Sequence, residues 1–270
     1  MAADDLDIHG ESVGVTIGPH ALLHPTTLTL PCGRLIAVIG RNGAGKSTLL
    51  AALSGLRRPS RGRVRYGARD IAAQRPADLA LLRATLPQDG AFAFGYRVRD
   101  IVALGRLAHA RRPSCRNDTR AVDAAMAEFD LAALADRLAT TLSGGERMRM
   151  RMARLAAQMH ERLEQREPAW LLLDEPTAAL DVDQQHRLMA RLRGYAGRGC
   201  GVILVLHDLA AAALYADIVL VLEAGRLVEH GAAADVLAPD AVLRHFGIDV
   251  GAVQIGGRGH SLYPYPRRMA

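Results

Sequence analysis

The 270 residues are half hydrophobic, carry 34 basic and 28 acidic side chains, and have a formal net charge of +6. That length fits one α/β domain with a smaller lobe, and with aromatics at 4% the core must be filled largely by alanine and leucine. Cys32, Cys115 and Cys200 lie far apart without C-x-x-C spacing, which argues against structural disulfides or zinc. No apolar run is long enough for a transmembrane helix, and the opening Asp4, Asp5 and Asp7 are unlike a signal peptide.

The first 85 residues read as strands and turns around one helix. Leu35-Ile36-Ala37-Val38-Ile39 is a short apolar run of the kind found in buried parallel strands. It leads into Gly40-Arg41-Asn42-Gly43-Ala44-Gly45-Lys46-Ser47, which fits the phosphate-binding pattern G-x-x-x-x-G-K-[ST]. A helix follows through Thr48 to Leu53 and ends at Gly55. Thirty-three of the 34 basic side chains are arginine, and the lone lysine is Lys46. On a solvated surface arginine replaces lysine at little cost. Against the β- and γ-phosphates of a nucleotide a compact ammonium is needed, and a planar guanidinium has the wrong shape. Backbone N–H groups and the helix dipole face the same anion, and Ser47 would sit on Mg²⁺.

Beyond the helix, Arg57, Arg58, Arg61, Arg63 and Arg65 are broken up by Pro59 and Gly62 and read as a solvated turn and strand edge, so no nucleic-acid partner is expected. From Asp100 to about His160 the pattern turns helical, with Ile101–Leu104 and Ala121–Leu138 as helix-forming stretches. Leu142-Ser143-Gly144-Gly145-Glu146 then opens a helix reaching about Gln158. Ser143 with Glu146 fits a capping box, but Ser-Gly-Gly at a helix start also makes an anion site. One triphosphate site does not need two phosphate loops, so the second is expected to serve a nucleotide on another subunit. Met148, Met152, Leu155 and Met159 recur at helical spacing and should face inward, with Arg147, Arg151 and Arg154 as a solvated stripe beside them. The apolar strand Leu171-Leu172-Leu173 ends in Asp174-Glu175-Pro176; the Asp is placed for Mg²⁺ and the Glu for a water. His207 follows the apolar run Val202–Leu206, at the carboxyl end of a strand, where α/β proteins bind ligands. After Phe246 the chain is rich in Gly and Pro and adds no obvious core, although Leu262, Tyr263 and Tyr265 could pack on the domain.

In order, the P-loop, Gln88 in Leu86-Pro87-Gln88, Leu142–Glu146, Leu173-Asp174-Glu175-Pro176, Ala179-Leu180-Asp181 and Leu206-His207-Asp208 resemble the motifs of the ATPase subunits of ATP-binding cassette (ABC) transporters over residues 10–245. The resemblance implies an α/β P-loop NTPase core with an antiparallel β subdomain and an inserted α-helical subdomain. Its single domain would span 1–245, with the core in 1–88 and 161–245, the helical part in 89–160, and a tail at 246–270. It implies ATP and Mg²⁺ as cofactors, with Gly40, Arg41, Asn42, Gly43, Ala44, Gly45, Lys46, Ser47 and Thr48 around the phosphates. Ser47, Gln88 and Asp174 would serve the metal, Glu175 would be the general base, and His207 would contact the γ-phosphate. Ser143, Gly144, Gly145 and Glu146 would reach the partner's nucleotide, and Asp181 would link the two sites. The family's adenine-stacking aromatic is missing: no Phe, Trp or Tyr precedes Tyr66, which leaves Ile17 or His20 for that place.

Ile101–His109, with Ala103-Leu104-Gly105-Arg106, resembles a segment of the importers for iron-siderophores, vitamin B12 and haem. The long charged connection from Leu155 to Leu171, ending in Pro168-Ala169-Trp170, resembles the haem-importer ATPases. That resemblance implies a homodimer, peripheral on the cytoplasmic face of a bacterial inner membrane. The dimer would sit on two copies of a permease subunit, which a periplasmic haem-binding protein would supply. Siderophore or cobalamin import is the neighbouring alternative. Cassette ATPases of DNA repair or ribosomes are more remote, because the chain has neither a long coiled coil nor two fused cassettes. Lys46→Arg keeps the charge but changes its shape, so it should lower ATP turnover by roughly tenfold or more in a phosphate-release assay.

Overall fold

The computed structural model describes residues 6–88, 95–110, 116–255 and 259–264; Cys115 and Tyr265 lie outside them. Strand β3 (Leu35–Gly40) is the axis of the molecule, and all but its last residue are buried. It pairs in parallel with β8 (Cys200–Val205) on one side and β9 (Ile218–Glu223) on the other. Beyond β8 follow β7 (Ala169–Leu173) and β6 (Arg83–Leu86), also parallel, while β10 (Arg226–Ala232) closes the far edge antiparallel to β9. These strands read as unbroken apolar runs because both faces of the sheet are covered.

Side chains alternate across a strand, so each central strand feeds two cores. Leu35, Ala37 and Ile39, with Leu171, Leu173, Val202 and Leu204, point toward the helical block. Ile36 and Val38, with Trp170, Leu172, Ile203 and Val205, point toward helix α1 (Lys46–Ser54) and a second, antiparallel sheet. That sheet is ordered β2-β1-β4-β5, from β1 (Ile8–Ile17), β2 (His20–Leu30), β4 (Arg61–Tyr66) and β5 (Arg69–Asp70). Across β1 and β4, Arg63 and Arg65 bind Glu11 at 2.7 and 2.8 Å, so part of the expected solvated arginine run is paired. Trp170 is fully buried in the second core and its indole N–H donates to the Leu6 carbonyl at 2.6 Å.

The helical block contains α3 (Val98–Ala103), α4 (Arg116–Glu128) and α5 (Gly144–Gln165). Two expected limits move. The helix predicted to continue to Leu138 stops at Glu128, where Asp130 enters the left-handed region at φ 54°, and short 3-10 turns fill 132–134 and 139–141. Helix α5 does not end at Gln158 but runs to Gln165, closed by Arg166 at φ 55°. Met148, Met152, Leu155 and Met159 are buried on it as their spacing predicts.

The stripe of Arg147, Arg151 and Arg154 is not uniformly solvated. Arg147 is exposed, Arg151 donates to the Pro87 carbonyl, and the Arg154 Nε is buried, which depresses the guanidinium's pKa. The cause is the segment after α3. Gly105 lies so close to α5 that a Cβ there would stand 2.3 Å from the Arg154 carbonyl. Next to it the buried Arg106 reaches Asp118 of α4 at 2.9 Å, and Glu161 and the Ala157 carbonyl of α5 at 2.5 and 2.6 Å. Burial opposes the charge, but Glu161 and Asp118 more than offset it and hold the Arg106 pKa up. Removing Glu161 would leave the buried Arg106 guanidinium with half-exposed Asp118 as its remaining carboxylate partner, so it should destabilise the helical block. The two segments that resemble haem importers are therefore one packed unit, joined by Arg106 and Glu161.

The C-terminal region departs from expectation. Helix α9 (Pro239–Phe246) straddles the boundary drawn after residue 245, and beyond it β11 (Val250–Ile255) and β12 (Gly259–Pro264) form a hairpin. Leu262 packs on the domain, as its sequence allowed: β12 lies on α7 (Leu209–Tyr215), and Leu262 is buried in the larger core. On α9, His245 lies between two carboxylates, with Nδ1 2.8 Å from Glu223 and Nε2 2.5 Å from Glu229; Arg244 stands 3.7 Å from Glu229, and the Phe246 ring is edge-on. Both ring nitrogens can donate only in the charged form. Burial favours the neutral ring, but the hydrogen bonds to Glu223 and Glu229 outweigh it and raise the pKa above the ordinary 6.5. The clamp's stabilisation is thus complete below that value and is lost as pH rises through the raised folded pKa. The thermal midpoint of wild type minus that of His245→Phe should accordingly shrink with rising pH in a series of melts beginning below pH 6.5.

Candidate active site

The cleft opens at the carboxyl ends of β3, β7 and β8, as parallel α/β sheets dictate. Gly40, Gly43 and Gly45 turn the chain from β3 into α1 with φ of 147°, 76° and 95°. Their lack of a side chain matters for space as well as for angle. A Cβ on Gly40 would lie 2.2 Å from the Leu222 carbonyl, and one on Gly45 would lie 2.7 Å from the Leu22 carbonyl. Gly45 caps α1 without any side-chain hydrogen bond and no acidic residue sits in the first turn, so the helix-start N–H groups are left for an anion.

Lys46 is buried, and its ammonium donates to the carbonyls of Gly40 and Arg41 at 2.9 and 3.0 Å. Burial lowers its pKa, and Glu175 and Asp174 oppose that. The folded loop therefore holds the lysine's head inside its own curl, where two carbonyls stand in for part of its hydration.

Asp174 ends β7 and is 7% exposed. Its Oδ1 is buried without a hydrogen-bond partner, and burial raises its pKa despite a hydrogen bond from Ser47. An orphaned carboxylate oxygen beside a serine hydroxyl is a donor set suited to a hard divalent cation. Glu175 follows with φ 49°, a left-handed backbone that is costly for a residue with a Cβ. Its Oε1 lies 2.7 Å from Nε2 of His207, just past β8. Gln88, exposed after β6, lines the same cleft. Asn42 to Thr48, Gln88, Glu175 and His207 thus meet around one opening, with Asp174 behind Ser47, while Gly40 and Arg41 do not line it.

Ser143 to Glu146 stand elsewhere. Ser143 caps α5 in a complete capping box, accepting from the Glu146 N–H at 3.2 Å and donating its own N–H to the Glu146 carboxylate at 2.8 Å. Hydrogen bonding from Ser143 keeps the Glu146 carboxyl below its usual range. Gly145 faces α6 (Val182–Ala196), where a Cβ would stand 2.4 Å from the Gln184 side-chain oxygen. Asp181 caps α6, accepting from the Gln184 N–H at 2.8 Å. None of these residues lines the P-loop cleft.

Two linings of the cleft were not anticipated: Ala21-Leu22 of β2, and the Ala224-Gly225 turn between β9 and β10. Gly225 donates to the Ala44 carbonyl at 3.0 Å and accepts from the His24 N–H at 2.7 Å, which locks the turn to the P-loop and to β2. The glycine was legible as a turn, but its approach to the loop is a tertiary event. Ile17 is 51% exposed at the end of β1 and does not line the cleft, and neither does His20.

Comparison with known proteins agrees with this geometry. The ABC transporter family model matches residues 23–178. The hemin import ATP-binding protein HmuV of Rhodococcus jostii is 40% identical over 97% of this chain and 86% of its own length. Its namesake in Gloeobacter violaceus is 42% identical over 87% of this chain and 86% of its own. An ABC transporter solved in an inward-facing conformation superposes with a TM-score of 0.78 at 25% identity, covering 99% of this chain and all of that one. Family match, relatives and fold converge with the P-loop cleft, and the chain belongs to the ABC transporter family as one of its ATP-binding ATPase subunits.

Proposed function

We propose that this chain powers haem import across a bacterial inner membrane, as a head-to-tail homodimer seated peripherally on two copies of a permease subunit and served by a periplasmic haem-binding protein. The observation that carries the substrate is the 40% identity to a hemin import ATP-binding protein along 97% of the chain. The packed Arg106–Glu161 unit supports it, since both segments that resemble haem importers meet there. None of the described helices is long and apolar enough to cross a membrane; in the proposed assembly the haem path would lie in the permease.

The head-to-tail arrangement rests on the site being half-built. Lys46 and the free N–H groups of α1 hold the phosphates, but the second glycine loop, Ser143-Gly144-Gly145, lies outside that cleft. A second copy, turned around, would bring its Ser143 and Gly145 to the γ-phosphate, with Asp181 between the two sites. Ser47, Gln88 and the orphaned Asp174 oxygen would hold Mg²⁺, which when bound supplies positive charge against the β- and γ-phosphates. Glu175 would take a proton from the attacking water. His207, already 2.7 Å from that carboxylate, would hold it in place before ATP arrives and face the γ-phosphate afterwards.

Glu175→Gln should keep ATP binding and cut turnover by roughly a hundredfold or more, because the amide retains the shape but cannot accept the proton. An ATP-dependent dimer should then accumulate on size exclusion, and normal turnover would reject Glu175 as the base. For the substrate, the transporter assembled in liposomes with its haem-loaded binding protein should move haem, while the isolated subunit's ATPase should ignore haem. Gene deletion should abolish growth on haem as sole iron source and spare growth on free iron; normal haem-dependent growth without a second importer would shift the assignment to siderophore or cobalamin uptake.

A further inference from the structure

Between Glu175 and α6 the chain crosses residues 176–181 as turns, without regular structure. Its own backbone bonds are few: Ala178 N–H to the Glu175 carbonyl at 3.3 Å, and Leu180 N–H to the Thr177 carbonyl at 3.1 Å. Packing confines its ends, where Pro176 and Leu180 are buried, the latter in the larger core, but the middle is open: Ala178 and Ala179 are exposed, and the loop borders a second cavity on the α6–α7 side. That cavity is lined by Glu175, Thr177, Gln185, His207 and Tyr215 among others, so there is space into which the loop can relax. Yet Glu175 at its start has a left-handed backbone, a conformation that persists in a residue with a Cβ only when its surroundings enforce it.

His207 grips the Glu175 carboxylate from the front, and one side chain restrains the loop behind it. From the first turn of α6, Gln185 folds back and its Nε2 donates to the carbonyls of both Thr177 and Leu180, at 3.2 and 3.1 Å. Its backbone N–H bonds the Asp181 carbonyl at 2.8 Å, so the helix start that anchors it is itself regular. Farther along the cavity wall, His186 Nδ1 lies 2.8 Å from the Tyr215 hydroxyl and ties α6 to α7, so the anchoring helix does not drift. Gln185 does not line the nucleotide cleft and acts only through the loop.

We infer that Gln185 is a positioning residue for hydrolysis: its amide staples the 177–180 turn to α6 and thereby holds the Glu175 carboxylate in the geometry from which it meets the attacking water. This rests on the assignment of Glu175 as the base. Displacing a reacting group by an ångström costs up to about a hundredfold in rate without touching the chemistry itself. The predicted signature is therefore a loss in kcat with ATP affinity unchanged.

Three substitutions separate the possibilities, each measured for kcat, KM for ATP and thermal midpoint in the full-length subunit. Gln185→Met keeps length and removes the donor, and should lower kcat roughly tenfold with KM within about twofold of wild type. Gln185→Glu puts an acceptor against two carbonyls and should be at least as impaired. Gln185→Lys restores a donor that can reach both carbonyls, and should recover most of the lost kcat. In a Glu175→Gln background, Gln185→Met should cost nothing further in single-turnover hydrolysis, because the two act as one unit. Unchanged kcat in Gln185→Met would overturn the inference, as would equal losses in the Met and Lys variants, or an additive loss on top of Glu175→Gln. If Glu175→Gln itself turns over normally, it is the base assignment that fails; if it is inactive while Gln185→Met is normal, only the positioning role fails.

Discussion

The P-loop has no clearance at its two ends. Gly40 is pressed against the Leu222 carbonyl at the end of β9, and Gly45 against the Leu22 carbonyl of β2, so the loop's shape is set by strands from two different sheets. Gly225 closes the arrangement by bonding both Ala44 and His24. The anion site is therefore a product of the sheet-to-sheet packing, and the alternation of β3 into two cores is what brings those sheets together. Anything that shifts the antiparallel sheet over the parallel one moves the phosphate cradle with it.

A similar dependence holds in the helical block. Helix α5 starts at the Ser143 cap and ends beyond Glu161, so one rigid rod carries the second glycine loop at its head and the Arg106 clamp along its length. Glycine 105 allows the chain to touch that rod, and Arg106 fastens it there. No loop intervenes between the Leu104–His109 contact and Ser143, since both lie on the same helix.

Much of this was legible in the sequence because the functional groups sit at predictable places on regular elements. The apolar runs ending at Gly40, Asp174 and His207 mark three strand ends of one sheet, and strand ends are where α/β sites form. What escaped was tertiary. Helix α4 was overextended because Ala and Leu after Glu128 have helical propensity, and the left-handed turn at Asp130 overrides it. Nothing in the sequence around Arg106 marks it as buried; its contact with Glu161, 55 residues away, makes it a clamp. The tail offered Leu262 as a residue that could pack on the domain, but its burial against α7 is a tertiary contact that the glycine and polar residues around it in sequence do not announce. The orphaned oxygen of Asp174 has no sequence signature apart from the motif, since it arises from burial.

The capping box at the head of α5 has a consequence for which residues position 143 tolerates. The Ser143 hydroxyl oxygen accepts from the Glu146 N–H and its proton is shared with the Glu146 carboxylate, which also holds the Ser143 N–H, so the proton can turn outward while both backbone bonds of the cap stay in place. One hydroxyl can thus start a helix and offer a proton to an anion beyond it. Aspartate and asparagine start helices equally well. The first would meet a phosphate with like charge. The second would have to turn its carbonyl oxygen inward and its amide outward, on a side chain longer than serine's. In the proposed dimer, a choice that looks like simple helix capping is thereby narrowed to a hydroxyl by the phosphate on its other side.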